Sequence, residues 1–329
     1  MADSPGPHAN PPAHPSLQWS PAVAAARAAG RPLVALESTI VAHGMPWPQN
    51  LRTARAVEAA VREHGVEPAT IAVIDGRIRI GLDDALLERL ARAGPQALKV
   101  SRRDLPAVLA AGAGSPIGAT TVAGTMICAA LAGIEVFVTG GIGGVHRGAA
   151  TTFDISADLQ ELARTSVVVV CAGAKSILDL CLTLEYLETH GVPVLSCGQD
   201  QFAAFYVRES GLGADQRIDE PAAQARFVRA KWDLGLAGGV LLSTPVPEAD
   251  ALPRDLVDGW IAEALADAQR QGIGGKAVTP FLLARIEQLS GGRSLAANVA
   301  LVKHNAAVGA RLAVALAALP PARGAGQMR

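Results

Sequence analysis

From residue 31 onward, short apolar runs alternate with segments whose apolar residues recur at helical spacing. The apolar runs predict strands at residues 32–36, 71–74, 78–80, 135–138, 166–171, 192–196 and 239–242. The helical periods predict helices at 51–63, 118–131, 176–189, 256–269, 280–289 and 295–318. Asp75-Gly76 sits between two apolar runs, where a two-residue hairpin turn is expected, and Gly65 and Gly191 end helical periods. Strand–helix alternation of this kind predicts an α/β fold: a three-layer α/β/α sandwich with a mostly parallel or mixed central sheet. Residues 19–318 read as one domain. Residues 1–18, rich in Pro and Ala, and 319–329 read as tails.

Composition narrows the classes. The chain has 329 residues, half of them hydrophobic and 18% charged, and its mean hydropathy is +0.27. A large buried core follows, and global disorder does not. Basic and acidic residues nearly cancel, at 29 and 30, so the basic excess of a nucleic-acid binder is missing. No uninterrupted apolar run reaches the ~18 residues of a membrane span, and no basic-then-apolar leader opens the chain. The four cysteines lack metal-ligand spacing and read as small apolar residues of a reducing, cytoplasmic protein.

Ligands of such sheets bind beyond the carboxyl ends of the strands, and three of these ends carry unusual residues. Glu37 ends the first apolar run and precedes a loop containing His43-Gly44-Met45-Pro46. It is a solvated strand-end carboxylate or a general acid/base tuned by partial burial. Thr139-Gly140-Gly141-Ile142-Gly143-Gly144-Val145-His146-Arg147-Gly148 ends another. It lacks the pattern of a P-loop or a dinucleotide fingerprint, leaving an anion cradle or a flexible connection. Beyond it, Asp154 and Asp158 share a helix face if the helix starts that early, with Asp154 available to a hard cation. The third end is Cys171-Ala172-Gly173-Ala174-Lys175-Ser176. The chain has only five lysines, and one sits here, where desolvation and a helix N-terminus would favour a neutral, nucleophilic amine. Lys99 opens a basic knot with Arg102 and Arg103, either solvated or an anion clamp.

Taken in order, these motifs resemble the pseudouridine-5'-phosphate glycosidase family, which includes indigoidine-synthase-A-like members. The resemblance runs from about residue 32 to 316. It implies reversible cleavage of the carbon–carbon glycosidic bond of pseudouridine 5'-phosphate to uracil and ribose 5-phosphate. It implies Lys175 as the nucleophile forming a Schiff base with ring-opened ribose, and Glu37 as the proton-transferring residue. Substrate contacts are implied at Lys99, Val122, Thr139, His146, Ser156, Ala157, Asp158 and Asn298. Asp154 is implied as the ligand of one Mn²⁺, with Mg²⁺ as a substitute. The implied assembly is a homotrimer acting on a small nucleotide, with no nucleic-acid polymer or membrane as partner.

Three departures from the family pattern stand out: Trp47, a loop at 111–117 about three residues longer, and Ser243-Thr244-Pro245. The competing reading is an N-glycosidase or phosphorylase of ordinary nucleotides or nucleosides. A kinase would need an ATP site, for which no P-loop is present. A non-catalytic nucleotide sensor would not need so full a set of reacting groups.

Overall fold

The structure, a computed structural model, describes residues 14–321. Eleven strands form the main sheet. Nine of them run in order from one edge as Leu17–Trp19, Arg77–Ile80, Glu67–Ile74, Leu33–Leu36, Val136–Val138, Val168–Cys171, Val240–Ser243, Val194–Ser196 and Gln216–Arg217, while Gly118–Thr120 branches from Glu67–Ile74 and carries Leu98–Val100. Every pairing from Glu67–Ile74 to Gln216–Arg217 along that path is parallel. The cause is visible in the residues: Val168–Cys171 is Val-Val-Val-Cys, buried throughout, as a parallel strand covered on both faces requires. Glu67–Ile74 is the exception, antiparallel to Arg77–Ile80 and to Gly118–Thr120. The sheet is therefore mixed and mostly parallel, with helices on both sides.

The Asp75-Gly76 hairpin forms as the sequence implies. Both residues take positive φ, 54° and 69°, as a twisted two-residue turn demands. Two elements differ from the periodicity. Residues 118–131 divide into the strand Gly118–Thr120 and the helix Val122–Leu131, capped by the Thr121 hydroxyl, which accepts from the Gly124 amide at 3.2 Å. Strand pairing with Ala72 and Val73 overrides helical spacing there. The helix expected from residue 176 starts only at Leu180, because Leu178 and Asp179 pair with Val145 and His146. Asp179 caps it, accepting from the Leu182 amide at 3.0 Å. Lys175 consequently lies in a bend ahead of the helix and not at its N-terminus.

Of the expected tails, residues 1–13 and 322–329 lie outside the described residues, while Leu17–Trp19 is an edge strand on Arg77–Ile80. All four cysteines are free; burial alone pushes the Cys128 thiol up to about 12, as it chiefly does for Cys171.

The helix Arg293–Ala317 is long and apolar enough to cross a membrane by composition, but 56% of its most apolar window is buried inside the protein. It lies across Val138 and Val170, brought close by Gly309. A β-carbon at Gly309 would stand 2.2 Å from Val138 Cγ2. Gly309→Ala should thus destabilise the fold. Helix propensity favours alanine by about 1 kcal/mol, whereas forcing a methyl into a packed core costs roughly 1–3 kcal/mol. A lowered thermal midpoint is expected; an unchanged or raised one would show the helix free to back away.

Candidate active site

Glu37, Thr139 and Lys175 follow the carboxyl ends of three neighbouring strands, Leu33–Leu36, Val136–Val138 and Val168–Cys171. The Thr139 hydroxyl donates to Glu37 Oε1 at 2.8 Å, and Lys175 Nζ donates to the Gly141 carbonyl at 3.0 Å. The three residues 139–141 thus hold both an acid and an amine. Glu37 is only 8% exposed. Burial pushes its carboxyl above the ordinary range. The Lys175 charge, the Thr139 hydrogen bond and Lys99 oppose that rise, and Asp158 adds to it.

The residues after Glu37 anchor it. Ser38 Oγ accepts from the Thr120 amide at 2.7 Å, and the Thr39 hydroxyl donates to the Thr120 carbonyl at 2.7 Å. Thr120 in turn donates its hydroxyl to the Ile71 carbonyl at 2.7 Å. Leu33–Leu36 pairs with residues 67–70 and Gly118–Ala119 with 72–73. Ser38 and Thr39 stitch the seam where one strand gives way to the other.

The glycine-rich stretch is neither slack nor open to an anion along most of its length. The amides of Ile142, Gly143, Val145 and His146 donate to the Gly173 carbonyl, Asp158 Oδ2, Thr183 Oγ1 and the Asp154 carbonyl. Gly141, Gly143 and Gly144 are there for close packing. A β-carbon at Gly143 would meet Ser156 Oγ at 2.2 Å, and one at Gly141 would meet the Phe205 ring at 2.6 Å. The anion this loop holds is the protein's own: Asp158 accepts from Gly143 at 2.9 Å and from the Ala123 amide at 3.0 Å. That second bond tethers the helix that Val122 begins.

Asp154 and Asp158 do not share a helix face. The helix begins at Ala157 with Ser156 as its cap, and Asp154 precedes it in a loop entered through Phe153 at φ 55°. Asp154 Oδ2 lies 3.9 Å from His146 Nδ1, with the Asp154 side chain 42% exposed. Among the described residues no three His, Cys, Asp or Glu side chains gather as a metal cage. One accessible carboxylate beside an imidazole is a donor set for a hydrated hard cation that keeps most of its waters, so Mn²⁺ or Mg²⁺ fits here as a lightly held ion.

His146 and His43 are both held toward the neutral form. Burial is the main cause in each, and the Lys99 charge acts on both; Asp154 opposes the shift at His146, where Lys175 adds to it. Lys99, Lys175, His146 and Asp154 therefore share one electrostatic neighbourhood. His43, whose Nε2 is buried without a hydrogen-bond partner, belongs beside them. The sequence around His43 assigns it no role; its burial and the nearby Lys99 charge bring it into view only in the fold. The knot around Lys99 is partly neutralised: Arg102 forms a two-pronged pair with Glu161, at 2.7 and 2.8 Å.

Asn298, 7% exposed, has a carbonyl oxygen with no partner, 3.3 Å from where a Gly140 β-carbon would be. Trp47 carries Arg92 over its ring at 4.2 Å. The longer 111–117 loop folds against the Asp75-Gly76 turn, its Gly112 backbone 2.4 Å from a β-carbon built on Gly76. Ser243 accepts from the Ala203 amide at 2.9 Å.

Comparison with known proteins finds relatives over nearly the whole chain. The family model described as Indigoidine synthase A like protein matches residues 22–315. The chain is 74% identical over 309 residues to the pseudouridine-5'-phosphate glycosidase of Cupriavidus pinatubonensis, covering 94% of this chain and 96% of that one. It is 60% identical to the protein of the same name from Caldanaerobacter subterraneus, covering 87% and 92%. Among solved structures, the prealnumycin C-glycosynthase in complex with ribulose 5-phosphate superposes with a TM-score of 0.84 at 43% identity, covering 93% of this chain and 98% of that one. An indigoidine synthase A-like protein from Thermotoga maritima gives 0.81 at 34% identity, covering 88% and 94%. This chain belongs to the indigoidine-synthase-A-like family, the one that its strand-end motifs resemble.

Proposed function

We propose that the protein cleaves, reversibly, the carbon–carbon glycosidic bond of pseudouridine 5'-phosphate, giving uracil and ribose 5-phosphate. The observation that carries this reading is the pairing of an amine and a buried carboxyl on one strand-end bracket, Lys175 on Gly141 and Glu37 on Thr139. It is supported by near-complete alignment with relatives named for that activity.

A C-glycoside leaves on carbon, with no lone pair to take a proton, so ordinary acid catalysis at the leaving atom is not open to it. A neutral amine offers a route. Lys175 adds at C1' as the C1'–O4' bond opens and O4' takes a proton. The amine's electron pair then expels uracil C5, which is protonated, and leaves an iminium joining lysine to ribose. Water hydrolyses the iminium, releasing ribose 5-phosphate and the free amine. Glu37 gives and takes the protons at these atoms, and burial, which raises its carboxyl above the ordinary value, favours the proton-carrying form.

Lys99, Thr139 and His146 face the phosphate and ribose, with Val122, Ser156, Ala157 and Asp158 as further substrate contacts and Asn298 toward the base. Asp158 contributes with the lone pairs that its bonds to Gly143 and Ala123 leave over. Asp154 is the residue to hold Mn²⁺ or Mg²⁺, which when bound supplies positive charge for the phosphate. The protein acts as a homotrimer in the cytoplasm on this small nucleotide, without nucleic-acid or membrane partners; Phe153, 83% exposed beside Asp154, is a surface for a neighbouring subunit to cover.

Incubation with pseudouridine 5'-phosphate and Mn²⁺ should release uracil without ATP. Release from uridine 5'-phosphate in its place would favour an N-glycosidase. Asp154→Ala should raise the Mn²⁺ concentration needed for half-maximal activity at least ~10-fold, since a carboxylate is the main protein donor, with the thermal midpoint unmoved. Unchanged metal dependence would remove Asp154 from that role.

A further inference from the structure

Asn305 is wholly buried in the helix Arg293–Ala317. Its amide nitrogen donates to the Thr139 carbonyl at 2.8 Å and to the Gly140 carbonyl at 3.2 Å. The Gly140 carbonyl also accepts from the Ala172 amide at 2.9 Å. One side chain thus ties the helix to the end of Val136–Val138, at a carbonyl that also accepts from the end of Val168–Cys171, immediately beside the groups that hold Glu37 and Lys175. The amide cannot be turned over, because its oxygen would then face two carbonyl oxygens. That oxygen has no partner of its own although it is buried, a costly arrangement that an apolar residue would avoid.

We propose that Asn305 is a positioning residue, which by pinning the Thr139–Gly140 backbone aims the Thr139 hydroxyl at Glu37 and the Gly141 carbonyl at Lys175. The proposal deepens the lyase reading and rests on it for its effect on turnover. Its effect on Glu37 is independent of any substrate. Asn305 touches neither reacting group and acts through the bracket alone. Misaiming two reacting groups by about an ångström costs on the order of 100-fold in rate, so Asn305→Leu should lower kcat by roughly that factor with KM changed little.

A second readout separates aiming from mere support. The Thr139 bond favours the charged carboxylate, so its loss must raise the titration midpoint of Glu37. Of the other charged groups facing Glu37, Lys99 and Asp158 lie outside the Thr139–Gly141 bracket, while Lys175, whose charge also favours the carboxylate, moves the midpoint in the same direction if it is drawn away. Carboxyl ¹³C NMR of the substrate-free protein, assigned with Glu37→Gln, should show the midpoint moving to higher pH in Asn305→Leu. Thr139→Val should move it the same way, and the double variant no further than the larger single shift. An unmoved midpoint in Asn305→Leu, or fully additive shifts, would overturn the proposal. Asn305→Ser serves as the smaller substitution should leucine fail to fold. If neither variant folds, Asn305 is a core residue and the proposal falls. Absence of any activity in the unaltered protein would sink the lyase reading while leaving the NMR test intact.

Discussion

Replacing Lys175 with methionine is expected to lower turnover of pseudouridine 5'-phosphate by at least ~10⁴-fold, about 5.5 kcal/mol of transition-state stabilisation. Methionine keeps the length and apolar stem of lysine and removes the amine. The side chain is half-buried and its ammonium is anchored on the Gly141 carbonyl, a single hydrogen bond, so the fold has little to lose. Lys175→Arg should be as inactive. It keeps a cation for the substrate's phosphate, but a guanidinium stays protonated and does not add to C1'. Steady-state kinetics on both variants, with circular dichroism to show a folded chain, checks this. Arginine retaining a tenth or more of the activity would mean that Lys175 acts by charge alone.

Glu37→Gln should lower kcat by roughly 10²–10⁴-fold, the usual worth of a positioned general acid or base, and leave KM little changed. Glutamine preserves the shape and still accepts from the Thr139 hydroxyl. The same substitution should stabilise the protein as pH rises. The folded-state value of Glu37 lies above its unfolded value, so the native state binds the proton more tightly. Stability from this group is complete below the unfolded value and is lost as pH climbs toward the folded one. Glutamine is exempt from that loss. Melts of both proteins should coincide near pH 4 and separate in favour of the variant as pH rises past the ordinary carboxylate value. A variant less stable at high pH would show that the Lys175–Glu37 attraction outweighs the burial of the carboxylate.

What the sequence conveyed best were features whose cause is local. Continuous apolar runs specified the parallel strands, and Asp75-Gly76 specified a hairpin turn because only a few residue types take positive φ twice in succession. The strand-end positions of Glu37, Thr139 and Lys175 followed from the same runs. What it conveyed poorly depends on partners far along the chain. Gly118–Thr120 looks helical until Ala72 and Val73 claim it. Leu178–Asp179 leaves its helix for Val145–His146. The glycine loop reads equally as an anion cradle or a flexible connection, and only the folded chain brings Asp158 under the Gly143 amide. Edge strands such as Leu17–Trp19 and Gln216–Arg217 are too short for any period to register. Asn305 did leave a trace, a second asparagine seven residues after Asn298 in the same helix, hence on the same face.

The proposed chemistry requires that ribose become bonded to one nitrogen. The protein should be mixed with pseudouridine 5'-phosphate and borohydride, digested, and its peptides read by mass spectrometry. A reduced ribose 5-phosphate adduct on the peptide carrying Lys175, absent without substrate, is the expected result. Full uracil release with no adduct, or an adduct confined to Lys99 or another lysine, would contradict it.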